Sequence, residues 1–171
     1  MNHPKSHLFY QSRLRRPLVD RAEGIYFWDS SGKRYLDGSS GAMVCNIGHS
    51  NPHVLEAMRK QMERATFAYR LQFENEPAEK LAAHLVEYMP GDLDKVFFVS
   101  GGSEAVEACI KMARQYTLAI GQPQRYKTIS RFPSYHGSTL GALAATGMSL
   151  MSAPFDPMLR QMPKISAPTV Y

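Results

Sequence analysis

The chain has 171 residues, enough for about one domain. Hydrophobic residues make up 44% and charged residues 20%, a composition that excludes a globally disordered protein. No run of about 18 apolar residues occurs, so no membrane span is expected, and the polar N-terminal residues do not resemble a secretory signal. Cys45 and Cys109 stand alone, which excludes a disulfide scaffold or a cysteine-based zinc site and indicates a cytoplasmic protein.

The net charge of +5 is concentrated near the N-terminus. Four of those charges lie within residues 1–21, where five basic residues face one acidic residue: Lys5, Arg13, Arg15, Arg16 and Arg21 against Asp20. A basic arm of this kind could contact nucleic acid. Because no aromatic platform or recognition helix follows, we interpret it as a solvated or subunit-crossing arm and expect no nucleic-acid partner.

The first half of the chain predicts a hairpin followed by two helices. Residues 24–29 are aromatic and β-branched, residues 30–32 supply a turn, and residues 34–36 resume an extended run. A helix starts at Asn51 and Pro52, with apolar residues at three- and four-residue spacing behind it. A second helix begins near residues 76–77 and stops at residues 90–91.

The second half alternates strands and helices. Residues 96–99 form an apolar run typical of a strand buried on both faces. A long helix then ends at Gly121, residues 126–130 form the next strand, and residues 139–145 form a short helix. The chain ends at residues 167–171 in what resembles another extended run.

This order predicts an α/β fold with a parallel sheet. Residues 1–50 follow a different pattern, so they are assigned to the N-terminal arm and hairpin of a smaller domain. Residues 51–171 are assigned to the first part of a large α/β domain. Only about two parallel strands are supplied, and we therefore expect the chain to be the N-terminal portion of a longer protein.

A glycine pair separates the strand at residues 96–99 from the long helix. A helix N-terminus presents unpaired N–H groups and partial positive charge, and Gly101, Gly102 and Ser103 would let a phosphate approach them. The same turn could simply cap the helix, and Glu104 and Glu107 would repel a phosphate unless they point away. The fingerprints of P-loop and dinucleotide-binding proteins are absent from the sequence.

A second loop follows the strand at residues 126–130 and contains Tyr135 and His136. In open α/β sheets ligands bind at this carboxyl edge. Tyr135 could stack on a planar ligand and His136 could donate or accept a proton, although a Tyr-His pair in a loop is often structural.

These patterns together resemble class III pyridoxal-phosphate aminotransferases. The resemblance rests on residues 28–38, on Asn-Ile-Gly-His at residues 46–49, on the turn and helix of residues 100–114, and on Tyr-His-Gly at residues 135–137. It covers nearly the whole chain in the family's order. It implies a fold-type-I, omega-aminotransferase-like enzyme that forms a homodimer and uses pyridoxal 5'-phosphate.

The resemblance also implies roles for individual residues. Gly102 and Ser103 would bind the cofactor phosphate with Gly101 shaping the turn, Tyr135 would stack on the ring, and His136 would support the site. Met43 falls where relatives place a substrate-pocket side chain. The Schiff-base lysine is expected downstream of Tyr171, so no catalytic residue and no metal ligand is assigned here.

Two functions follow as hypotheses. The first is an aminotransferase that moves an amino group from an amine or omega-amino acid to a 2-oxo acid such as pyruvate, with this chain inactive by itself. The alternative is a non-catalytic cofactor-binding or interaction fragment that lacks the Schiff-base lysine. Neither involves a membrane.

Overall fold

The computed structural model describes residues 6–10 and 14–168. The chain divides into two compact units, Met1–Glu76 and Pro77–Tyr171. Among the described residues, no helix has the length and apolar character needed to cross a bilayer. The predicted division at residue 50 into parts of a small and a large domain stays a prediction.

A three-stranded antiparallel sheet, ordered β1-β2-β3, begins the first unit. Its strands are Val19–Glu23, Tyr26–Asp29 and Arg34–Leu36. The predicted hairpin is the β2–β3 pair, in which Tyr26 faces Leu36. Strand β1 was not predicted, because its sequence, Val-Asp-Arg-Ala-Glu, is mostly polar and gains strand structure only by pairing with β2.

The turn between β2 and β3 is organised by the buried carboxylate of Asp29. Its Oδ1 accepts hydrogen bonds from the Ser31 hydroxyl at 2.6 Å, the Ser31 N–H at 2.9 Å and the Lys33 N–H at 3.0 Å. Its Oδ2 accepts from the Tyr35 hydroxyl at 2.7 Å. These bonds, led by the Ser31 and Tyr35 hydroxyls, favour the charged form and lower the pKa of Asp29 to about 2.

After the sheet, the first unit continues with an irregular turn, α1 (Ser40–Met43), and a regular helix, α2 (Pro52–Arg64). Helix α2 begins where the sequence predicts. The Asn51 side chain accepts hydrogen bonds from the backbone N–H groups of His53 and Val54, which satisfies donors that a helix start leaves open.

The second unit carries further helices and the two parallel strands. Helix α3 (Glu76–Val86) crosses its boundary, and helix α4 (Gly102–Ala119) starts at the predicted glycine. There follow β4 (Ser130–Phe132), α5 (Leu140–Ala145), α6 (Ser149–Ser152), a 3-10 helix over Ala153–Met158, and β5 (Lys164–Ser166). Strands β4 and β5 pair in parallel, with Arg131 opposite Ile165.

Three sequence predictions of strands need correction or relocation. Residues 96–99 form no strand, since they belong to neither of the two sheets of the described structure. The strand predicted at 126–130 begins only at Ser130, where pairing with β5 begins. The final extended segment is found earlier than predicted, at β5, and residues 169–171 lie outside the described residues.

Helix α5 is the buried centre of the second unit. Within the described residues, the buried hydrophobic side chains all belong to it: Ala142, Leu143, Ala144 and Ala145. The next residue, Thr146, is only 1% exposed and is the largest fully buried side chain among the described residues. The small side chains let neighbouring backbone pack closely around α5, so α5 sets the position of the loops on either side.

Many large apolar side chains remain exposed, including Leu55, Met58 and Met62 on α2 and Phe97 and Phe98 in the predicted strand. Exposed apolar surface and unpaired strand edges favour association. We expect the 171-residue chain to self-associate or precipitate, as measured by sedimentation velocity over a dilution series. A compact monomer that unfolds cooperatively would contradict this expectation.

The lowered pKa of Asp29 predicts acid-dependent stability of the hairpin. The folded value of about 2 lies below the ordinary 3.8, so the carboxylate stabilises the fold above pH 4 and that stabilisation is lost as the pH falls toward 2. Trp28, the only tryptophan, reports unfolding of this unit by its fluorescence. In Asp29→Asn the acid transition should weaken or vanish, whereas an unchanged transition would refute the assignment.

Candidate functional site

The first turn of α4 presents unpaired backbone donors next to open space. Gly101 precedes the helix in an extended conformation and Gly102 opens it. A Cβ added at either glycine would meet no atom within 4 Å. The first N–H groups of a helix have no partner within it, and the positive end of the helix dipole lies there. An anionic group therefore has both room and donors at this turn.

Ser103 joins this turn to the loop that carries Tyr135 and His136. The backbone N–H of Ser138 donates a hydrogen bond to Ser103 Oγ at 3.0 Å, across 35 residues of sequence. Gly137, the residue before Ser138, has a φ of +136°, and a Cβ at this position would lie 2.9 Å from Ser103 Cα. Glycine at 137 is what allows the loop to approach α4 so closely.

Tyr135 is held between two anchored positions of the same loop. Ser134 exchanges backbone hydrogen bonds with Gly147, at 3.2 and 2.8 Å, and Ser138 is bonded to Ser103. Tyr135 and Ser138 are three Cα–Cα steps apart along the chain, so their Cα atoms are at most about 11 Å apart. The Tyr135 side chain is 60% exposed. The structure thus brings the predicted ring residue close to the predicted phosphate turn.

His136 follows Tyr135 and is fixed through its backbone. Its N–H donates to Thr146 Oγ1 at 3.0 Å, and the Thr146 hydroxyl bonds to the carbonyls of Gly137 and Ala142. The imidazole Nε2 of His136 is buried and has no hydrogen-bond partner among the residues that the structure describes. A buried polar atom in that condition costs roughly 1–3 kcal/mol, so an added donor or acceptor would be favourable here.

The carboxylate of Glu104, in the first turn of α4, is engaged by the backbone. Glu104 Oε2 accepts a hydrogen bond from the Ser100 N–H at 2.8 Å. The interaction resembles the reciprocal half of a capping box and ties the end of the preceding segment to the helix.

Glu107 lies one turn further along α4 and reaches the start of α5. Its Oε1 accepts from the Thr139 hydroxyl at 2.7 Å and from the N–H groups of Gly141 and Ala142 at 2.9 and 3.2 Å. The Thr139 bond is the largest cause of a lowered pKa for Glu107, so the carboxylate is charged. The Thr139 hydroxyl and two α5 amides stabilise this charge, so the Glu107 carboxylate is directed at the start of α5.

The other end of α5 is capped by Lys164 of β5. Its Nζ donates to the carbonyls of Ala144 and Ala145, at 2.9 and 3.2 Å, and to Ser130 Oγ at 3.1 Å. Burial lowers the pKa of Lys164. A cation here satisfies the carbonyls that the helix end leaves open, so α5 is tied to both parallel strands.

Met43 lies in the first unit, at the end of α1, with a φ of +62°. A positive φ is strained for a side chain of this kind. Its predicted place in a substrate pocket stays a prediction.

A separate cleft of about 740 Å³ is lined by residues of α4, of α5 and of the segments 126–128 and 159–164. Its lining includes Tyr126, Thr146, Arg160 and Lys164, but none of the residues that the sequence assigned to the site. No group of three or more His, Cys, Asp or Glu side chains suited to a metal is found among the described residues.

Sequence reasoning missed the residues that hold the loop in place. Ser138, Thr139 and Thr146 give no local signal, because their partners lie far away along the chain. Glu107 was noticed only as an obstacle to phosphate binding. The sequence did offer one signal for the Glu107 contact. A carboxylate lies in an early turn of α4, and hydroxyl and small residues precede the short helix α5 further along the chain.

Comparison with known proteins identifies the family. The family model described as aminotransferase class-III matches residues 10–171. The uncharacterised aminotransferase YodT of Bacillus subtilis is 48% identical over 155 residues, covering 91% of this chain and 35% of the relative. Acetylornithine aminotransferase of Agrobacterium fabrum is 38% identical, covering 86% of this chain and 37% of the relative. The chain thus spans about a third of the length of these relatives.

Solved structures agree with the sequence relatives. An (S)-enantioselective omega-transaminase from Thermomicrobium roseum superposes with a TM-score of 0.88 at 40% identity, covering 95% of this chain and 38% of that one. An omega-transaminase from Pseudomonas jessenii, solved in complex with PMP, gives 0.88 at 30% identity, with 96% and 38% coverage. The predicted fold class, an N-terminal portion of a fold-type-I transferase, is confirmed. The chain belongs to the class-III aminotransferase family.

Proposed function

We propose that this chain is the N-terminal part of a pyridoxal-phosphate-dependent aminotransferase. The enzyme would move an amino group from an amine or omega-amino acid to a 2-oxo acid such as pyruvate. The observation that carries the proposal is the Ser138 N–H to Ser103 Oγ bond of 3.0 Å, because it joins an anion-binding helix start to a loop with an exposed aromatic ring.

The phosphate group would bind at the start of α4. The N–H groups of Gly102 and Ser103 supply donors, and Gly101 leaves the approach open. The Ser103 oxygen already accepts from Ser138, which leaves its hydroxyl proton free to donate to a phosphate oxygen. The nearby carboxylates of Glu104 and Glu107 are occupied by backbone N–H groups.

The ring of the cofactor would lie against Tyr135. Tyr135 covers one flat face and limits the positions that the ring can take. His136 supports the same loop, and a polar group brought in beside it would satisfy its buried Nε2. When bound, pyridoxal phosphate supplies an electron sink for the carbanion formed at the amine-bearing carbon of the substrate. Met43 is the residue that we assign to the substrate side.

The lysine that attaches the cofactor is proposed to lie beyond Tyr171. Of the eight lysines in this sequence, Lys164 is already used to cap α5, and none lies in the family's catalytic context. We further propose a cytoplasmic homodimer for the longer protein, as the family resemblance implies. A non-catalytic cofactor-binding or interaction fragment is the second candidate, because none of the eight lysines of this sequence lies in the family's catalytic context.

The stacking role of Tyr135 can be tested in a longer protein that carries this sequence. Tyr135→Ala removes the ring contact, so we expect cofactor affinity to fall by roughly 1 kcal/mol or more, about fivefold in Kd. Equilibrium dialysis with pyridoxal phosphate measures this change. Tyr116→Ala, which removes an exposed ring from the other end of α4, serves as the control and should bind normally. Unchanged affinity in Tyr135→Ala would remove this residue from the site.

The missing lysine can be tested with the 171-residue chain itself. We mix the chain with pyridoxal phosphate, reduce with sodium borohydride, and map modified lysines by peptide mass spectrometry. Scattered, substoichiometric modification is expected, because no lysine is placed for attachment. A stoichiometric adduct on one lysine would contradict the proposal that the attachment site lies downstream.

A further inference from the structure

Three side chains with complementary chemistry form a line of contacts in the first unit. The Cys45 Sγ lies 3.4 Å from Nδ1 of His49, and the opposite ring nitrogen, Nε2, lies 2.7 Å from Oδ2 of Asp37. A thiol within reach of a base that is itself oriented by a third group is the arrangement by which proteins activate nucleophiles. None of the three was assigned a role by sequence or family.

The imidazole of His49 is fixed in place from several sides. Its backbone exchanges hydrogen bonds with Gly24, at 2.7 and 3.0 Å, which pins the segment to the end of β1. The Phe27 ring packs against the imidazole with a centroid separation of 4.3 Å. A Cβ at Gly48 would lie 2.9 Å from the Gly24 carbonyl oxygen, so glycine at 48 permits this approach. The base therefore keeps one orientation toward the sulfur.

Asp37 determines which nitrogen of that imidazole carries the proton. The side chains of Asp37 and His49 are only 8% and 17% exposed. The hydrogen bond from His49 is the largest cause of a lowered pKa for Asp37, and backbone N–H groups of residues 39–41 add to it. The 2.7 Å contact with the Asp37 carboxylate favours the tautomer that carries its proton on Nε2, and in that tautomer the lone pair of Nδ1 faces the Cys45 thiol at 3.4 Å.

The sulfur itself is half-buried rather than enclosed. Its S–H can also donate to the carbonyl oxygen of Gly48, at 3.3 Å, so the thiol proton has two acceptors and only one of them is a base. The other cysteine, Cys109 on α4, is more exposed. If access alone governed reactivity, Cys109 would react faster than Cys45.

We propose that Cys45 is a nucleophilic thiol with His49 as its base and Asp37 as a positioning residue, and that it is a site of covalent modification by α,β-unsaturated carbonyl compounds. The thiol proton passes to His49 Nδ1 as Sγ forms a bond to the β-carbon. The carbon–carbon π electrons move onto the carbonyl oxygen to give an enolate, and the α-carbon of the enolate then takes the proton back from His49, directly or through water, which restores the neutral base. No oxidant, reductant or leaving group is required.

The proposal is independent of cofactor binding, because it uses no residue of the α4 turn or of the Tyr135 loop. The test uses a longer protein that carries this sequence, because the 171-residue chain by itself is expected to self-associate. The probe is N-ethylmaleimide, an α,β-unsaturated imide, used at limiting concentration, and the extent of labelling at each cysteine is followed over time by peptide mass spectrometry. We expect Cys45 to be labelled at least roughly tenfold faster than Cys109.

Two variants distinguish the role of His49 as the base from the role of Asp37 in positioning it. His49→Gln keeps a donor toward Asp37 but removes the base, and the Cys45 rate should fall roughly tenfold. Asp37→Asn removes the charge that orients His49 and should lower the Cys45 rate as well. His84→Gln, on the exposed face of α3, is the matched control and should leave both rates unchanged.

The direction of change distinguishes a chemical role from a structural one. A variant that merely unfolds the segment exposes the half-buried sulfur and raises its rate, whereas loss of the base lowers it. The Cys109 rate in the same molecule provides the reference. The proposal is overturned if Cys45 reacts no faster than Cys109 in the unchanged chain, or if His49→Gln reacts as fast as that chain.

Discussion

One hydrogen bond sets the geometry on which the proposed site depends, the bond from the Ser138 N–H to Ser103 Oγ. It holds the loop that follows β4 against the first turn of α4. The bond is possible because Gly137 has no side chain and adopts a φ of +136°, which lets the loop come within contact distance of Ser103. Without it, the exposed ring of Tyr135 and the free donors of α4 would have no fixed relation.

Helix α5 stabilises the contact between the Tyr135 loop and α4. Six residues are too few for a stable isolated helix, and its ends are instead satisfied by charged side chains from elsewhere. Glu107 of α4 accepts from the N-terminal N–H groups, and Lys164 of β5 donates to the C-terminal carbonyls. The two charges therefore connect α4, α5 and the parallel strands, and Thr146 closes the loop onto the same helix.

The sequence predicts what local chemistry determines. The Asn51 cap, the hairpin around Asp29 and the start of α4 at Gly102 were all found, because each signal lies within a few residues of the element. The two segments of the proposed site were inferred from the order of short motifs, and their roles in binding stay a prediction, although Ser138 of one segment bonds to Ser103 of the other. These predictions needed no knowledge of distant contacts.

Features that depend on distant partners could not be found in this way. Residues 96–99 have the composition of a buried strand, yet they belong to neither sheet of the described structure, because apolar composition alone does not determine whether a segment joins a sheet. Strand β1 shows the converse case. Its polar composition does not predict a strand, but pairing with β2 makes it one. The Glu107, Ser138 and Lys164 contacts span 19 to 35 residues, so no local sequence pattern indicates them.

A crystal structure of a longer protein carrying this sequence, with pyridoxal phosphate bound, tests the central claim most directly. We predict a phosphate oxygen about 3 Å from the backbone nitrogen of Gly102 or Ser103, with the Tyr135 ring against the flat face of the cofactor. A cofactor whose phosphate lies away from the start of α4, or whose ring does not contact Tyr135, would contradict the account.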